Sequence, residues 1–319
     1  MSSGGCTNVG GTLAGVTRRP ALGYAMVLTA AALWALNGAV SKVILTSGGV
    51  TSERLTEVRA TGAFLLLFAV LLVVRRSSLR VGLRELPFLV VFGVGGLAFV
   101  AWFYFVAIER LEIGIALLIQ YIAPVLVALW ARYVLHEPVR RRIWAALALS
   151  VVGLSLLLRL WGGLELDGIG VLASVGAALT FALYILLADH GLQTRSTSSL
   201  LAYGFLFAAL FWAIVQPWTS FPWGLVDDNV SLLGRLEGIE LPVWLLMGWM
   251  VVLGTIVPFG LLVASLRHIT PTRAGILAMF EPVAGTAIAY AWLQEELSSI
   301  QLLGAAIVLA GIGLAQTAR

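Results

Sequence analysis

The chain has 319 residues, 60% of them hydrophobic and only 11% charged, with a mean hydropathy of +0.99. That composition excludes a soluble globular protein and leaves a polytopic membrane protein, with the lipid bilayer as its first partner. A net charge of +4 is no nucleic-acid footprint, so no nucleic acid is expected; what matters is which loops hold the charge.

A hydrocarbon core about 30 Å thick takes ~20 apolar residues per helix. The apolar runs here are continuous, whereas a barrel needs alternating segments of about ten residues, so the spans are helical. Residues 1–20 are rich in Gly, Ser and Thr and end in Arg18, Arg19 and Pro20, the pattern of a disordered cytoplasmic leader closed by a positive anchor. The apolar run after it continues through Val40 and further spans follow, which argues against a cleaved secretory signal. Cys6, the single cysteine, supports neither a disulfide framework nor a lipid attachment.

Ten spans are predicted, near residues 22–45, 55–74, 86–107, 113–135, 143–160, 168–188, 199–218, 242–266, 274–293 and 299–317. With the N-terminus inside, fourteen of the twenty Lys and Arg residues fall on the inner side, among them Arg80, Arg141 and Arg195. The outer side receives Lys42, Arg54, Arg59, Arg110, Arg159 and Arg235. This bias predicts cytoplasmic termini.

The two halves echo each other. APVLVALWARYVLHE at 123–137 and EPVAGTAIAYAWLQE at 281–295 align at a constant offset of 158, which pairs Pro124 with Pro282, Glu137 with Glu295 and, further on, Gly153 with Gly311. A proline opens each run and a glutamate closes it, Glu137 on the inside and Glu295 on the outside. The expected fold is therefore all-α, ten transmembrane helices in a 5+5 repeat, with residues 21–161 as the first half and 162–319 as the second. Five spans is an odd number, so the second half enters the membrane upside down, the inverted-topology arrangement of many alternating-access transporters. The long outer segment 216–241 carries Trp218, Trp223, Asp227, Asp228, Glu237 and Glu240. It lacks calcium-loop spacing and is expected to be a solvated cap with interfacial aromatics.

Polar groups at membrane depth are the functional pointers, because a charge at the bilayer centre costs ~2.5–3.5 kcal/mol on insertion scales unless it faces protein or water. Glu281 sits inside span nine beside Pro282, and its repeat mate is the neutral Ala123. It is either a substrate or proton site or a hydrogen-bonded tie between helices. Arg59 lies about one turn into span two, where it can clamp a carboxylate, pair with Glu57 or reach the headgroups. Trp34 and Asn37 in span one, Gln120 and Tyr121 in span four, and Thr180 and Tyr184 in span six carry polar tips or aromatic faces at similar depth. WALN at 34–37 is echoed by FALY at 181–184, which puts Asn37 and Tyr184 at mirrored positions. Together these residues are expected to line a central cavity for a small-molecule substrate. Gly93, Gly95 and Gly96 in span three and Gly254, Pro258 and Gly260 in span eight interrupt corresponding helices; Gly96, Gly254 and Pro258 are the expected hinges, against close packing through small residues as the alternative. His136, His190 and His268 stand at span ends without metal-ligand spacing, so neither metal nor other cofactor is expected.

The Pro-Val openings of spans four and nine with their closing glutamates, together with LWALNGAVSK, EVRATGAFLLL and MFEPVAGTAIAYAWLQEE, resemble the EamA-type drug/metabolite transporter superfamily from residue 22 to residue 317. The resemblance implies export or exchange of small metabolites, amino acids or drugs across the plasma (inner) membrane. IERLEIGIALLIQYIAPV is similar to the amino-acid exporter branch. It also implies an arginine near position 59 and a Glu-Pro-Val at 281–283 as recurring family features. A membrane scaffold has no need of buried midplane polar groups, and an intramembrane enzyme needs a nucleophile and base, or metal ligands, at one depth; neither set is found. No ATP-binding motif occurs, so a proton, another ion or a substrate gradient is the expected energy source. Cargo, direction and oligomeric state are not encoded in any motif.

Overall fold

A computed structural model describes residues 19–47, 50–108, 110–111, 113–136, 138–158, 167–294 and 296–317. The leader and the two repeat-closing residues Glu137 and Glu295 lie outside the described residues. The rest is an all-α membrane protein. Its helices are α1 (Pro20–Ser47), α2 (Ser52–Val74), α3 (Leu86–Val90, Val91–Ala98 and Phe99–Ile108 in succession), α4 (Ile113–Gln120 then Ala123–Tyr133) and α5 (Arg141–Leu157), followed by α6 (Gly168–Gly191), α7 (Thr197–Val215), α8 (Val243–Val251, Val252–Ile256 and Val257–Ser265 in succession), α9 (Pro271–Ala278 then Phe280–Ala291) and α10 (Ser299–Thr317). Nine of these are long and apolar enough to cross a membrane among the described residues; α5, at 17 residues, is the shortest of the ten and spans ~25 Å. Leu65, Val70, Val73, Leu172, Leu179, Ile214 and Leu302 stand more than half exposed on the outside of the bundle. Water would not tolerate so extensive an apolar surface, and lipid does.

Several starts follow ordinary capping chemistry: Thr51, Asp167 and Ser196 each accept a backbone N–H three residues on, opening α2, α6 and α7. Pro271 sits in the first turn of α9, where its missing N–H is harmless.

The packing repeats itself under the internal symmetry. Helix α1 packs on α8 and α9 as α6 packs on α3 and α4, while α2 lies on α7 and α5 on α10. At the last contact a Cβ on Gly153 would run into the Gly304 carbonyl and Val308 backbone, and one on the repeat mate Gly311 would run into the Ala146 carbonyl and Ser150. Ala146, Ser150 and Gly153 are the 158-offset mates of Gly304, Val308 and Gly311, so one backbone-close contact is built twice.

The α2–α7 pair is stapled at both ends. On one face Arg54 pairs with Glu57 at 2.6 Å and donates to the Gln216 and Pro217 carbonyls and to Ser220 Oγ. On the other, Arg195 pairs with Glu85 at 2.7 Å and donates to Ser199 Oγ and the Arg80 carbonyl. Each staple joins the start of one helix to the loop that follows the other.

The segment between α7 and α8 contains the only strands among the described residues, β1 (Asn229–Ser231) and β2 (Glu240–Pro242), paired antiparallel. Asp227, Asp228, Glu237 and Glu240 are exposed, and Trp218, Phe221 and Trp223 cluster with ring centroids 4.6–5.8 Å apart. The cap is tied down by Trp292, whose Nε1 donates to the Leu232 carbonyl at 2.9 Å. Gly234, at φ 53°, lies so close to the Trp292 carbonyl that no side chain fits there.

Candidate functional site

Both α4 and α9 are broken. Tyr121 and Ile122 form a turn before Ala123 and Pro124 begin the second piece of α4, and Met279 separates the two pieces of α9 just before Phe280, Glu281 and Pro282. The breaks fall at corresponding repeat positions, because each proline denies its helix an N–H and restricts the residue before it. Discontinuous helices free backbone and side-chain polar groups at depth, and here the two breaks meet: Tyr121 Oη donates to Glu281 Oε2 at 2.6 Å.

Around this junction lies a cavity of about 600 Å³. Trp34, Asn37, Arg59, Gln120, Tyr121 and Glu281, six of the eight binding residues predicted from the sequence, are on its wall. The wall on α1 runs from Trp34 to Thr46, on α2 from Thr56 to Ala60, and on α9 and the turn after it from Glu281 to Leu293. All three stretches lead toward the face that carries the α1–α2 turn, where Lys42 and Thr46 are exposed. The opposite end is closed by aromatic rings centred on Phe259, which meets Trp34, Tyr184 and Phe205 edge-on at 5.1, 5.5 and 5.6 Å.

Thr180 and Tyr184 stand behind the wall. Thr180 donates back to the Gly176 carbonyl of its own helix at 2.8 Å, and Tyr184, fully buried, stacks on Phe92 and Phe181 with its hydroxyl unpartnered. The direction in which they face is not legible in the sequence. Arg59 does not pair with Glu57, which belongs to Arg54. Its Nε donates to Thr255 Oγ1 at 3.1 Å, and Thr255 in turn donates to the Met250 carbonyl at 2.9 Å. Thr255, Tyr104, Lys42, Phe205, Phe259 and Trp212 are wall residues that sequence reasoning missed. Among the described residues the side-chain carbonyl oxygens of Asn37 and Gln120 are buried without a hydrogen-bond partner, and that of Asn37 lies against Gly254.

The expected hinge glycines lie in widened, π-helical turns, Val91–Ala98 in α3 and Val252–Ile256 in α8. Gly96 and Gly254 are 158-offset mates. A Cβ at Gly254 would collide with the Asn37 side chain, and one at Gly96 would press on Tyr184 at 3.3 Å. Asn37 and Tyr184 thus rest on mirrored glycines, as the WALN and FALY echo predicts. Pro258 begins the piece of α8 that follows its wide turn, while Gly93 packs directly on the Gly204 carbonyl of α7. Such turns concentrate at functional sites in helices.

The histidines pack at helix ends: His190 meets the Phe88 ring at 5.5 Å, and His268 Nδ1 accepts from the Arg19 N–H at 3.5 Å. Among the described residues no group of three or more His, Cys, Asp or Glu could hold a metal ion.

An all-helical bundle built from two like halves, with broken helices meeting at a buried polar cavity, defines a repeat-built membrane protein of the transporter class. The chain belongs to the EamA-like transporter family, which it matches twice, over residues 21–159 and 168–317. It is 28% identical over 221 residues to a protein named "Uncharacterized transporter" from Archaeoglobus fulgidus, covering 66% of this chain and 70% of that one. It is 29% identical over 245 residues to the "Threonine/homoserine exporter RhtA" of Escherichia coli K12, covering 74% and 73%. A solved crystal structure at 20% identity shares the fold, with a TM-score of 0.74 over 94% of this chain and 97% of that one.

Proposed function

We propose that the protein exports small amino acids across the plasma membrane by alternating access, with both termini cytoplasmic and the cavity open outward in this conformation. The observation that carries this is the pairing of opposite charges on one cavity wall: the Arg59 guanidinium faces the same space as the Glu281 carboxylate. A zwitterion needs both, a bidentate donor for its carboxylate and an acceptor for its ammonium. Asn37 and Gln120 add side-chain amides to the wall, and Trp34, Phe181 and Trp212 supply apolar wall for an aliphatic side chain. The relatives named as threonine/homoserine exporters support the choice of cargo. Glu281, the carboxylate on the wall among the described residues, is the candidate for coupling to protons, since a substrate ammonium and a proton compete for the same oxygens.

Cells overproducing the protein, loaded with amino acids as peptides, provide the test. Export predicts faster accumulation of a subset of amino acids outside than in cells producing Glu281→Gln at equal level. Identical exometabolite profiles for the two would contradict it.

A further inference from the structure

Thr255 stands where the cavity, the wide turn of α8 and Arg59 meet. Its side chain is 1% exposed and donates its single hydroxyl hydrogen to the Met250 carbonyl, five residues back. With that hydrogen committed, the hydroxyl has only lone pairs to offer, and one of them accepts Arg59 Nε at 3.1 Å. A guanidinium held by its Nε edge has both Nη groups left for a fork, and among the described residues they make no other hydrogen bond. In an ordinary α-helical turn a threonine hydroxyl back-bonds to the carbonyl three or four residues earlier, as Thr180 and Thr286 do. The reach to Met250 therefore belongs to the widened turn.

We infer that Thr255 is a positioning residue that aims the Nη fork of Arg59 at a substrate carboxylate and ties that aim to the shape of the α8 turn. Rewinding the turn to α-helical pitch takes the hydroxyl away from Met250 and carries the Arg59 contact with it, so the clamp is set in one state of the transporter and slackened in the other. Differential affinity between states is what lets a carrier both capture and release its cargo. The inference rests on the amino-acid reading above, which supplies the carboxylate.

The test uses the full chain in nanodiscs, with quenching of the cavity residues Trp34 and Trp212 as the signal. The twenty amino acids are screened on the wild type, and the tightest binder and its primary amide, which lacks the anionic carboxylate, are the two probes. Thr255→Val is expected to weaken binding of the acid about tenfold, the loss of a charge-assisted contact, while the amide changes less than about twofold. Thr255→Ser, which keeps the hydroxyl, restores acid binding, and Arg59→Lys abolishes the preference for acid over amide. Should Thr255→Val not fold, Thr255→Ala carries the same comparison. Equal losses for acid and amide, or no rescue by serine, with the preference for the acid still lost in Arg59→Lys, overturn the role of Thr255 and leave the amino-acid reading standing. Failure of every amino acid to bind, or an unchanged preference in Arg59→Lys, overturns that reading and this inference with it.

Discussion

Tyr121, in the break of α4, donates its phenolic hydrogen to Glu281 Oε2 at 2.6 Å, just past the break of α9. One bond thereby joins the two halves of the chain at the point where each has interrupted a helix.

Removing that bond isolates its contribution. A hydrogen bond to a charged group is worth ~1.5–3 kcal/mol, and Glu281 is left with one fewer donor in Tyr121→Phe. Export by Tyr121→Phe is expected to fall at matched expression, and Glu281→Gln is expected to fall further because it also removes the charge. Scintillation counting of labelled amino acid in proteoliposomes measures both; wild-type rates in both variants would make the contact purely structural.

Arg54 and Arg59, five positions apart, are expected to fail in different ways. Arg54 is 8% exposed and its Glu57 partner fully buried, and taking away one partner of a buried ion pair costs about 3–5 kcal/mol. Arg54→Ala should therefore lower the melting temperature in detergent and the folded yield. Arg59→Ala should keep the yield and lose transport, since its guanidinium faces the cavity. Reversed phenotypes would exchange their assignments.

The mirrored glycines are expected to be sensitive to a single methyl group. Gly254→Ala must displace Asn37, whereas Gly96→Ala meets Tyr184 at 3.3 Å and needs a shift of a few tenths of an ångström. Transport should drop in both and more in Gly254→Ala; equal, wild-type activity would show that neither wide turn has to change shape.

Much of this was legible in the sequence. Ten spans and the repeat follow from uninterrupted apolar runs and a constant offset; Glu281 stood out as a charge inside a span beside the helix-loosening Pro282, and Tyr121 as a polar tip within span four. The partner of Glu57 was also available: Arg54 lies three residues away on the same helical face, whereas Arg59, two away, does not. Thr255 gave no signal, because a threonine in an apolar run ordinarily bonds its own helix, and only the widened turn turns its lone pair toward Arg59. Tyr184 was expected on the cavity wall and instead stacks on Phe181 behind it, since position along a helix leaves rotation about its axis open. The three-residue strands of the cap between α7 and α8 are too short to carry an alternating pattern.

Topology is tested by labelling. In a background lacking Cys6, single cysteines at Arg80, Arg141 and Arg195 should resist an impermeant maleimide in intact cells, while one at Asp228 should react. Reaction of both Arg80→Cys and Asp228→Cys from outside would break the ten-span arrangement.

Counterflow tests alternating access most directly. Proteoliposomes without ATP are loaded with millimolar unlabelled amino acid and diluted into a trace of the labelled one. A carrier that rocks around the Arg59–Glu281 cavity accumulates label transiently above its outside concentration, and Glu281→Gln does not. Equilibration without overshoot in the wild type, at a rate indifferent to the internal amino acid, would mean a channel-like path and contradict alternating access.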